Sequence, residues 1–66
     1  MTVEKFVRMC LLYKDIMLGE EEVTPEMLHE FDALFNEASI SDRLEFAEFA
    51  RKTNEIRKNR VLAAAR

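Results

Sequence analysis

One cysteine, Cys10, and one histidine, His29, are the only thiol and imidazole in this 66-residue sequence. Cys10 stands in the run Met9-Cys10-Leu11-Leu12. Burial in such a run raises a thiol's pKa, and neither a helix end nor a fixed cation is near to lower it, so the expectation is a packed thiol rather than a nucleophile. A lone cysteine also closes no intrachain disulfide, which fits a reducing, cytoplasmic setting. His29 closes the run Glu26-Met27-Leu28-His29, the Glu-x-x-His spacing that carboxylate-bridged di-metal bundles use. Those centres need the ligands turned into the bundle with further carboxylates from other helices. Here the helical period sets the pair on a charged face beside Glu30 and Asn36, so a solvated histidine, paired at most with Glu26, is expected. The sequence has no glycine-rich phosphate loop and no Cys/His cluster at zinc spacing. Catalytic, cofactor-binding and metal residues are therefore all expected to be absent, and the chain is expected not to be an enzyme.

The elements that carry these residues are well marked. With 48% hydrophobic and 35% charged residues but a single Gly and a single Pro, the chain is too apolar and too poor in breakers to stay disordered. The expectation is one all-α domain over 1–66, a small three-helix bundle. Thr2 and Gly19 bracket a first helix over 3–18 as N-cap and left-handed stop. Val23-Thr24-Pro25-Glu26 is a helix start with a reason at each position: Thr24 caps, Pro25 loses no hydrogen bond in the first turn, Glu26 suits the positive end of the dipole, and Val23 is spaced to staple onto Leu28. The second helix should span 25–37, with Met27, Leu28, Phe31, Leu34, Phe35 and Ala38 on one stripe. Ser39 or Ser41 should cap a third helix over about 42–60, whose apolar face is Phe46, Phe49, Ala50, Thr53 and Ile56. The end from 57 to 66 lacks a stop signal and is expected to fray.

Helix one is apolar over most of its circumference, leaving a narrow polar strip of Glu4, Lys5, Arg8 and Asp15. Two amphipathic neighbours do not need that much surface. Small folds often complete their core by association, so a homodimer is expected through Phe6, Met9, Tyr13, Ile16 and Met17.

Charge is unevenly placed along the chain, whose formal net charge is −3. Residues 1–41 hold three bases and nine acids, whereas 42–66 hold seven bases and four acids. No uncharged run is longer than that from Met9 to Tyr13, which is far too short for a membrane span. Two surfaces are the expected partner-binding elements. The first is the acid strip of Glu20, Glu21, Glu22, Glu26 and Glu30, suited to steering a basic partner. The second is the basic end, where Arg57 and Arg60 extend the apolar face of the third helix and Val61 and Leu62 add apolar groups on other sides. The basic end also admits a nucleic-acid-associated regulator. Against that, Asp42, Glu45 and Glu48 occupy the start of the helix that would have to face phosphate. The expected function is thus a small interaction protein, regulatory, inhibitory or adaptor in role, acting on a protein partner. Its size fits a bacterial or phage accessory protein.

Overall fold

The computed structural model describes residues 1–19 and 22–65 and contains three helices packed against one another, with no strand among the described residues. They are α1 (Val3–Leu18), α2 (Pro25–Glu37) and α3 (Ile40–Ala64). Each start follows from a local capping interaction. The Thr2 hydroxyl accepts from the Lys5 amide at 3.2 Å, and the Thr24 hydroxyl accepts from the Met27 amide at 3.2 Å. Pro25 opens α2, as expected for a residue whose missing N–H costs nothing there. Gly19 ends α1 at φ 64°, its amide donating to the Asp15 carbonyl at 3.1 Å. Val23 and Leu28 remain 39% and 50% exposed, so the stapling spacing covers neither of them.

The third helix differs from its expected bounds at both ends. Ser39 is the cap: its hydroxyl accepts from the Asp42 amide at 3.1 Å while the Asp42 carboxylate accepts from the Ser39 amide at 3.4 Å. This reciprocal box draws Ile40 and Ser41 into the first turn. At the other end the helix runs on to Ala64, because Val61-Leu62-Ala63-Ala64 contains good helix formers and no breaker.

α2 runs antiparallel to α1. The Lys5 ammonium meets Glu37 at 2.6 Å and the Arg8 guanidinium meets Glu30 at 2.8 Å. α3 runs parallel to α1. The Met1 amine lies 3.4 Å from the Asp42 carboxylate at one end, and the Tyr13 hydroxyl reaches Asn54 further along. Helix α1 is therefore the element that both others cover, and Met9 and Leu12 in it are the largest fully buried side chains.

The core is built from Met9, Cys10 and Phe46, with Phe6, Tyr13, Phe31, Leu34, Phe35, Phe49 and Ala50 packed around them. Its centre is aromatic. Phe46 of α3 lies 5.1 Å from the Tyr13 ring, edge-on, and 5.7 Å from Phe31 of α2. Such tilted and edge-to-face pairs add to the area each ring buries. Arg43 ties the α2–α3 turn down, its guanidinium stacked 4.7 Å over Phe35 and its Nε donating to the Phe35 carbonyl at 3.2 Å.

Candidate docking surface

Cys10 is buried against Met9 and Phe46, and burial pushes its thiol up, away from the thiolate that reactivity needs. His29 is exposed on the outer face of α2 and forms no ion pair with Glu26. Among the described residues, no three His, Cys, Asp or Glu side chains converge as a metal site would require.

The residues expected on a helix-one interface have diverse places. Met9 is wholly buried, and Phe6 and Tyr13 pack on the core beside it. Ile16 and Met17 are half-buried, Met17 at the edge of the groove described below. The outward apolar surface of α1 is instead Val3, Val7 and Leu11, at 79%, 48% and 44% exposure, one stripe at a spacing of four. Of the expected acid strip, Glu20 and Glu21 lie outside the described residues. Glu22 and Glu26 are exposed, and Glu30 is tied to Arg8 across α1 and α2.

Helix α3 decides what the other end of the bundle offers. At about 1.5 Å per residue its 25 residues reach well beyond the 16 of α1, and the molecule measures 41 × 24 × 15 Å. Tyr13 sits opposite Asn54, so Leu18 comes level with Asn59 and the remainder of α3 projects past its neighbour. The step between the end of α1 and this projection is an open groove of about 470 Å³, lined by Met17, Asn54, Arg57, Lys58, Val61 and Leu62.

Arg57, Val61 and Leu62 were expected partner residues, and the structure brings all three into one concavity. Val61 and Leu62, expected on sides other than that of Arg57, line the same groove with it because the groove is wide enough to take two adjacent rows of α3. Arg60, expected beside Arg57, is not among the lining residues. Asn54, Lys58 and Met17 escaped the sequence reading as members of this site. The spacing of Asn54, Lys58 and Val61 or Leu62 at successive turns was the available signal, since such positions share a face. What hid it was the scatter of bases around the helix.

No helix among the described residues is long and apolar enough to cross a membrane. No protein-family model, curated protein or solved structure matches this chain.

Proposed function

We propose that this chain is a small non-enzymatic interaction protein of the cytoplasm that regulates, inhibits or adapts a protein partner by docking on it. The observation that supports this reading is the groove at the projecting end of α3. It combines aliphatic walls from Met17, Val61 and Leu62 with two cations, Arg57 and Lys58, at one solvent-open site. Apolar side chains half or more exposed, such as Val61 at 61% and Leu62 at 53%, supply the area whose burial drives association. Rim charges mainly set orientation and on-rate. In this reading Arg57 and Arg60 orient the partner, and Glu22 and Glu26 steer its approach.

The test is capture from native lysate with wild-type chain and with Arg57→Glu/Arg60→Glu as baits, the variant's helical spectrum being checked first. Proteins held by the wild type and released by the double reversal support docking through the α3 end. Equal capture by both baits rejects it. A salt-sensitive submicromolar DNA complex that the same reversals abolish would replace this reading with the nucleic-acid-associated regulator.

A further inference from the structure

We infer that in the free protein the α3 groove is occupied by a second copy of this chain, each copy lodging its Glu22–Glu26 edge in the other's groove. The inference rests on the groove being a docking site, as proposed above, and it names the occupant.

The groove itself specifies the chemistry of what fills it. Among the described residues its lining includes two cations and no anion, and neither Arg57 nor Lys58 forms an ion pair with a described residue. Its complement is an aliphatic side chain with carboxylates on either side. This chain displays that combination where α2 begins: Val23, 39% exposed, stands between the exposed carboxylates of Glu22 and Glu26, and Leu28 follows at 50%. Neither Glu22 nor Glu26 forms an ion pair with a described residue. The edge does not fill its own chain's groove, since Glu22, Val23 and Glu26 are all exposed and none of them lines it.

Position makes the match reciprocal. α2 is antiparallel to α1, so the start of α2 lies at the end of the bundle where Met17 and the projecting part of α3 also lie. Edge and groove thus share one pole. Two copies related by a twofold axis through that pole satisfy both contacts at once and close as a dimer. The contacts are few and their charges solvent-exposed, so the association is weak and sensitive to salt.

A charge swap tests this with the full chain. Wild type should show a sedimentation mass that rises toward two chains with concentration and falls back as salt is raised. Arg57→Glu/Lys58→Glu places acid against acid in its own dimer, and Glu22→Lys/Glu26→Lys places base against base, so each should be monomeric alone. Mixed together, both contacts become complementary again and the heterodimer should form. Val23→Asp, at an exposed position, should also be monomeric and stands in for any charge variant that loses its helical spectrum. A wild type that stays monomeric, or a mixture that fails to pair, overturns the inference. If such a monomer still captures a partner in an Arg57-dependent way, the docking function stands without it. A swap-dependent dimer with no other protein captured would leave self-association as the groove's role and reject the partner reading.

Discussion

Tyr13 of α1 donates its hydroxyl proton to Oδ1 of Asn54 in α3 at 3.1 Å, while its ring stands edge-on to Phe46 at 5.1 Å. One side chain thereby joins the aromatic core to the groove that Asn54 lines. The two roles separate energetically. Tyr13→Phe keeps the ring and removes a solvent-exposed hydrogen bond, which should cost about 0.5–1 kcal/mol. Phe46→Ala empties the centre of the core, where Phe46 is only 6% exposed, and should cost about 3–5 kcal/mol, more than truncating the partly exposed Phe31. Urea unfolding of the three variants checks the order. A Phe31→Ala variant less stable than Phe46→Ala would mean that the centre of the core lies in α2.

The Ser39–Asp42 box predicts a response to acid. The Ser39 side-chain hydrogen bond holds the Asp42 carboxyl below its ordinary range, with the Ser39 amide and the Met1 amine adding to the effect and desolvation opposing it. A carboxylate whose pKa is lower folded than unfolded stabilises the fold above its unfolded pKa, and that contribution disappears as pH falls through the folded value. Wild type should therefore lose stability below about pH 4 more steeply than Asp42→Asn. Ser39→Ala should cost about 1 kcal/mol at neutral pH and flatten the same acid limb. Chemical denaturation repeated across that range gives the slopes, and identical slopes in wild type and Asp42→Asn would remove the box from the account.

Gly19 isolates a backbone effect. A methyl group built at this position meets nothing within 4 Å, yet φ is 64°. Gly19→Ala should cost about 1 kcal/mol through the left-handed conformation alone. Thermal melts provide the measurement. An unchanged or higher midpoint would show that the α1–α2 connection readily takes another path.

The sequence by itself determined that there are three helices and where the first two lie, because capping is local chemistry: Thr2, Gly19, Thr24 and Pro25 act on amides and carbonyls a few residues away, whereas the third start stayed open between Ser39 and Ser41. It left α3 without a breaker after Asp42, but the fraying expected over 57–66 is not what the structure shows, since the helix continues to Ala64. Only the tertiary structure decided which apolar faces are covered. A period of 3.6 says which residues share a face but not what meets it, and α1, apolar nearly all round, offers no preferred side. The pairing of Phe31 and Phe46, one from each neighbouring helix, drew Tyr13 inward with Met9 and left Val3, Val7 and Leu11 outside. The groove was equally out of reach, because its shape depends on Met17 and Leu62, distant in the chain, coming together where a 16-residue helix ends beside one of 25 residues.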